Sequence, residues 1–217
     1  MKNIFWQEAQ KYNVLPIDDR YAERGDVSSR PSLTRGRNSF TYYDGTVRVT
    51  EGSAPDLKNR SYSITADVKI PPNGANGILA TQGGRFGGWG FFVQNNKPTF
   101  VHAFSNQDKD KFTVASATPL SPGQHQVRFD FQYDGGGLGK GGTGIISVDG
   151  KQVAQGRIAQ TIPRRVSFDE TFDIGEDTGT PVIDSYSMPF NFTGELNKVT
   201  INLAQATQKE NPNPADP

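Results

Sequence analysis

His125-Gln-Val-Arg-Phe-Asp-Phe-Gln-Tyr133, followed by Ile145-Ile-Ser-Val-Asp-Gly-Lys-Gln-Val-Ala154, is the passage that decides the fold class. In the first segment His125, Val127, Phe129, Phe131 and Tyr133 alternate with Gln, Arg and Asp. A period of two places the two sets on opposite faces of a strand, one apolar and one wet. In the second, Asp149-Gly150 separates two short runs. An Asp-Gly pair tolerates the positive φ angles of a two-residue turn, so 145–148 and 151–154 read as a hairpin.

The same pattern extends outward. Tyr62, Ile64, Ala66, Val68 and Ile70 alternate with Ser, Thr, Asp and Lys. Ile78–Thr81 is a short buried run, and Trp89–Gln94 meets Thr99–Phe104 through the turn-like Asn95-Asn96-Lys97-Pro98. Phe112 and Val114, Val166–Phe172 and Leu196–Leu203 supply further strands. Many short strands, 24 Gly and 14 Pro predict an all-β, two-sheet antiparallel sandwich of jelly-roll type over residues 40–204. Ahead of it, residues 1–39 form a short helix over Asn3–Asn13 and an extended connector. After it, the polar, Pro-containing segment 205–217 reads as a disordered tail.

Composition excludes several functions. Lys plus Arg and Asp plus Glu are both 23, so no basic field exists to hold phosphate backbones. There is no cysteine, hence no disulfide, zinc–thiolate site or thiol nucleophile. No apolar run reaches a membrane span, and the first residues lack the apolar core of a signal peptide.

Candidate sites are few. Gly137, Gly139 and Gly142 match a dinucleotide-type glycine spacing, but a strand follows where a helix is needed, so the segment reads as a flexible loop between antiparallel strands. Arg85-Phe-Gly-Gly-Trp89 suggests ligand binding, with Trp89 to stack on a sugar and Arg85 to hold hydroxyls or sulfates; the plainer reading buries Trp89 at a strand start. The acidic stretch Asp169–Asp177 lacks the same-face carboxylate spacing of sandwich glycosidases. It reads as a solvated loop, with calcium at Asp173, Glu176 and Asp177 as the alternative and no cofactor otherwise. His102 and His125 each stand alone in an alternating strand and read as satisfied structural residues.

Several blocks together resemble a family. They are Trp6 through Arg20, Pro31 through Tyr43, Gly83 through Gly87, Tyr133 through Gly142, and Asp169-Glu-Thr-Phe-Asp-Ile-Gly-Glu-Asp-Thr-Gly-Thr-Pro181. From about Phe5 to Leu203 the chain resembles the C-terminal domain of bacterial arylsulfatases, without their catalytic domain. The resemblance implies a concanavalin-A- or laminin-G-like sandwich appended to an alkaline-phosphatase-like sulfatase core. It carries over no catalytic residue, because the formylglycine and cation ligands of the family belong to that core. Ser29-Arg-Pro-Ser-Leu33 mimics the sulfatase signature, but Leu33 stands where an Arg is required and cannot donate a hydrogen bond. No sulfate-ester hydrolysis by this chain alone is therefore expected.

Three functions follow as expectations. One is a non-catalytic accessory domain of an arylsulfatase, joined through residues 3–24 to the catalytic domain or self-associating there. The others are a carbohydrate-binding module and a sandwich-type glycoside hydrolase. A packing module requires an exposed apolar patch at the N-terminal helix, a lectin a concave face lined by Trp89 and Tyr, and an enzyme two carboxylates facing each other in a cleft. Neither nucleic acid nor membrane is an expected partner. Localisation would be periplasmic or secreted if the parent carries a signal peptide.

Overall fold

The computed structural model describes residues 1–17 and 32–204. The chain divides into a first unit up to Leu33 and a second from Thr34 onward. Within the first, α1 (Lys2–Lys11) ends at Tyr12, close to the expected Asn3–Asn13, and buries only Ala9. The remainder of the connector and the expected tail, 18–31 and 205–217, lie outside the described residues.

The second unit is a two-sheet antiparallel β-sandwich. Its strands are β1 (Ser39–Tyr42), β2 (Tyr62–Ile70), β3 (Gly77–Gly84), β4 (Gly87–Gln94), β5 (Lys97–Ala103), β6 (Lys111–Ala115), β7 (Gly123–Tyr133), β8 (Lys140–Val148), β9 (Lys151–Gln160), β10 (Phe172–Ile174) and β11 (Glu195–Leu203). One sheet has six strands in the order β1-β11-β2-β7-β8-β9, the other five in the order β10-β3-β4-β5-β6. The expected hairpin forms at Asp149-Gly150, both with positive φ, between the paired residues Val148 and Lys151. Asn95 and Asn96 adopt the same left-handed region to join β4 and β5, where Gln94 faces Lys97. Asn tolerates that region better than other non-glycine residues, so both turns follow from their side chains.

The alternation decides which residues meet between the sheets. Phe129 and Phe131 of β7, Ile64 and Val68 of β2, and Phe91 and Phe100 of β4 and β5 all enter one core. At its centre Phe100 and Phe129 stack face to face across the sheets, with centroids 3.6 Å apart and planes 7° apart. Space for these rings comes from a missing side chain. A Cβ at Gly144 of β8 would lie 2.8 Å from the Phe129 ring, so glycine is required by close approach.

The five-stranded sheet is covered on its other face as well. Ile78, Phe92, Val101 and Ala103 point away from the first core into a second one, closed by Val182 and Tyr186 with Ile183, Met188 and Phe190. The covering segment, 175–193, is tied to β3 by main-chain bonds: Gly175 N–H to Leu79 C=O and Ile78 N–H to Phe190 C=O. This corrects one expectation. Val166–Phe172 is not a strand through its length; only Phe172–Ile174 pairs with β3, while 163–171 is irregular. Among residues 34–204, covering both faces of one sheet leaves the outer face of the six-stranded sheet as the uncovered sheet surface.

Candidate functional site

On that uncovered face the outward residues of β7 include Arg128 and Asp130, which alternate with the core residues Val127, Phe129 and Phe131. Arg128 donates from Nε and Nη2 to the two oxygens of Asp130, at 2.7 and 2.6 Å. Across the ladder Arg128 is paired with Thr65 of β2 and Ser147 of β8, and Asp130 with Ser63 and Ile145. Ser63 in turn faces Asn202 of β11. Together these outline an open depression of about 430 Å³, lined among others by Ser63, Arg128, Asp130, Gln132, Ile145 and Asn202. The volume lies in the range of small-ligand sites. None of these positions was singled out from the sequence. The signal was present in the polar half of the alternation at 125–133, which reads as plain solvent face until its neighbours are known.

The residues expected to bind ligand lie elsewhere. Trp89 is 3 % exposed, stacks on Phe100 and donates from Nε1 to Gln82 Oε1, so no ring face is left for a sugar. That corrects its reading as a stacking platform and agrees with the plainer one. A small cleft beside it, with Tyr62, Gln82, His102 and Ile162 on its walls, has about 20 Å³ free, room for one water and not for a sugar ring. Arg85 is exposed at the β3–β4 turn and is held by Asp184 at 3.2 Å, apart from Trp89 in role as well as burial.

The acidic stretch is not a solvated loop. Asp173 and Asp177 are 1 % and 3 % exposed. Asp173 accepts from Arg48 N–H at 2.5 Å, Thr171 Oγ1, Thr178 N–H and Thr178 Oγ1. Asp177 accepts from Gly179 N–H and, at 2.8 Å, from Tyr186 O–H. Glu170 accepts from Thr180 N–H and Oγ1. These carboxylates fasten the 175–193 segment instead of facing each other across a cleft. Glu176 is only partly exposed. Among the described residues no three His, Cys, Asp or Glu side chains are placed to hold a metal ion.

Both histidines are engaged. His102 is buried and its Nε2 accepts from Ile162 N–H. His125 Nδ1 lies 2.7 Å from Asp149, and Nε2 lies 3.1 Å from Ser121 Oγ but 2.9 Å from the Ser121 carbonyl. The order Ser, His, Asp is that of a nucleophile relay. Nε2 lies closer to the Ser121 main-chain carbonyl than to its hydroxyl, so the ring is seated against the loop backbone and not aligned on the serine Oγ alone. The cluster instead pins the 149–150 turn to the loop before β7.

Two buried groups titrate in opposite senses. Burial, reinforced by the Asp173 and Glu170 charges against the bonds from Tyr186 and Gly179, raises Asp177 to about 6. Its stabilising contribution is complete below the unfolded carboxylate value and is lost as pH rises through about 6. Burial lowers His102 to about 4. Its contribution is complete above the unfolded imidazole value and is lost as pH falls through about 4. Each shift amounts to about 2–3 kcal/mol over its window, and the two offset one another between pH 4.5 and 7.5. Relative to the wild type, Asp177→Asn is expected to lose about 2 kcal/mol of stability on going from pH 7.5 to 4.5, and His102→Gln to gain about as much. Urea unfolding at both pH values checks this; parallel profiles for all three proteins would refute it.

No family model matches the chain, and no curated protein does. Solved structures are similar to it at low sequence identity. The sialidase carbohydrate-binding module of Ruminococcus gnavus, bound to α2,3-sialyllactose, is 13 % identical over 75 % of this chain and 91 % of that one, with a TM-score of 0.46. Mouse laminin α1 domains LG4-5 are 11 % identical over 76 % of this chain and 39 % of that one, with a TM-score of 0.41. The leech intramolecular trans-sialidase is 12 % identical over 76 % and 25 %, with a TM-score of 0.44.

Proposed function

We propose that the sandwich is a non-catalytic carbohydrate-binding module and that the outer face of its six-stranded sheet is the binding surface. One observation carries the reading: the five-stranded sheet is sealed on both faces, while the other presents a depression of about 430 Å³ lined by hydroxyl, amide and paired charged groups. Sugars are recognised by such groups, because each hydroxyl both donates and accepts. Affinity electrophoresis of the purified chain through gels containing neutral, uronic-acid and sulfated polysaccharides tests it. Retardation by at least one class is expected, and equal mobility in all gels would sink the reading.

A second reading is favoured by a different observation. Ile4, Phe5 and Trp6 of α1 and Tyr12 just after it are exposed, and within the helix Ala9 alone is buried. A ten-residue helix is marginal in water unless its apolar side is covered. This supports a packing role for residues 3–17 against a sulfatase catalytic domain, in line with the resemblance from Phe5 to Leu203. The two readings are compatible if the module presents a sulfated glycan's neutral portion to its enzyme. An upstream reading frame encoding Cys- or Ser-x-Pro-Ser-Arg on the same polypeptide is the observation that decides for the sulfatase parent.

A further inference from the structure

We infer that the Arg128–Asp130 pair is the recognition unit of this face and that its ligand class is an uncharged glycan with free vicinal hydroxyls. The inference rests on the carbohydrate-binding reading and narrows it. The two bonds within the pair use one hydrogen on Nε and one on Nη2. A guanidinium has five N–H groups, so three remain, and each Asp130 oxygen keeps lone-pair capacity. The pair therefore offers donors and acceptors side by side, in fixed register, at the rim of the depression. Two adjacent hydroxyls complement it: one oxygen accepts from the guanidinium while the neighbouring O–H donates to the carboxylate. Hydrogen bonds to charged partners are stronger than neutral ones, so such a chelate discriminates by geometry.

Charge selects within the sugars. Among the described residues lining the depression, Arg128 and Asp130 are the only charged ones, and they neutralise each other. A sulfate or carboxylate accepting from the free guanidinium N–H groups would lie against the negative charge of Asp130, and the neutral pair offers it no net attraction. An uncharged ring avoids that repulsion. Ile145, beside Asp130 in the ladder and partly exposed, supplies apolar surface for the C–H side of the ring. The pre-formed bidentate pair also loses little side-chain freedom on binding, since Arg128 is already held.

The experiment uses the full chain and three polymers: galactomannan, polygalacturonate and dextran sulfate. Affinity electrophoresis and titration calorimetry are expected to show binding to galactomannan in preference to both polyanions. Galactomannan whose vicinal diols have been cleaved with periodate and then reduced with borohydride is expected to lose that binding. Asp130→Asn and Arg128→Lys are each expected to weaken it tenfold or more, with thermal unfolding confirming that both variants fold. Preference for either polyanion, survival of binding after periodate, or wild-type affinity in both variants would overturn the inference while leaving the carbohydrate reading in place. Failure to bind any of the three polymers would remove that reading and the inference with it.

Discussion

Replacing Phe129 by alanine is expected to cost about 3–5 kcal/mol, the range for deleting a fully buried aromatic ring. Phe129 joins the two sheets through its face-to-face stack with Phe100. It also lies 6.1 Å from the Phe91 ring and 6.2 Å from Tyr62, so one truncation removes contacts to β2, β4 and β5 together. Gly144 already leaves its position without a side chain beneath the ring. Position 144 therefore offers no side chain that could move into the cavity. Equilibrium urea unfolding checks this; a loss below about 1.5 kcal/mol would mean that the sheets close over the gap.

Asp173→Ala is expected to cost about as much, for an unlike reason. Its carboxylate is the acceptor for Arg48 N–H, Thr178 N–H and the Thr171 and Thr178 hydroxyls. Alanine leaves these donors inside the protein with no partner, at roughly 1–3 kcal/mol for each one that stays buried. Relief comes only if the 175–193 segment lifts off, which exposes the second core around Phe92 and Tyr186. The loss, about 3–5 kcal/mol in total, should therefore be accompanied by binding of a hydrophobic dye under native conditions. Asp173→Asn, which keeps one carbonyl oxygen, should lie between the two proteins. If the alanine variant unfolds within about 1 kcal/mol of wild type and binds no dye, Asp173 is not the fastener described here.

Much of the sandwich was legible before any coordinates. Period-two alternation located β2 and β7, because each has one core face and one wet face. Asp149-Gly150 and Asn95-Asn96 located two turns through the backbone angles their residues accept. What was not legible came from tertiary cover. Tyr186, Met188 and Phe190 recur at every second residue, but Pro189 and the turn residues around them leave no strand, and they pack from an irregular segment onto a sheet that sets their positions. Without that lid in view, Asp173 and Asp177 look like loop acids, although they are the groups that hold it down. Trp89 illustrates a different case: Arg85-Phe-Gly-Gly-Trp89 fits both a stacking platform and a buried strand start in sequence, and the burial of β4 decides for the second. The Arg128–Asp130 site was hidden for another reason. A polar strand face has the same pattern whether it meets bulk water or a ligand, and only the neighbours Ser63, Ile145 and Asn202 separate the two.

The unequal covering of the two sheets divides the molecule into a part that resists substitution and a part that accepts it. In β3, β4 and β5 a changed side chain meets packed atoms on either face, so variation there is paid in folding. Outward positions of β2, β7 and β11 meet solvent, and their main chains are already fixed by the core residues between them. Descendants of this chain could exchange Arg128, Gln132 or Asn202 and acquire a new ligand preference on an unaltered frame. Specificity and foldability are thus carried by different residues of the same strands, and the first can evolve without spending the second.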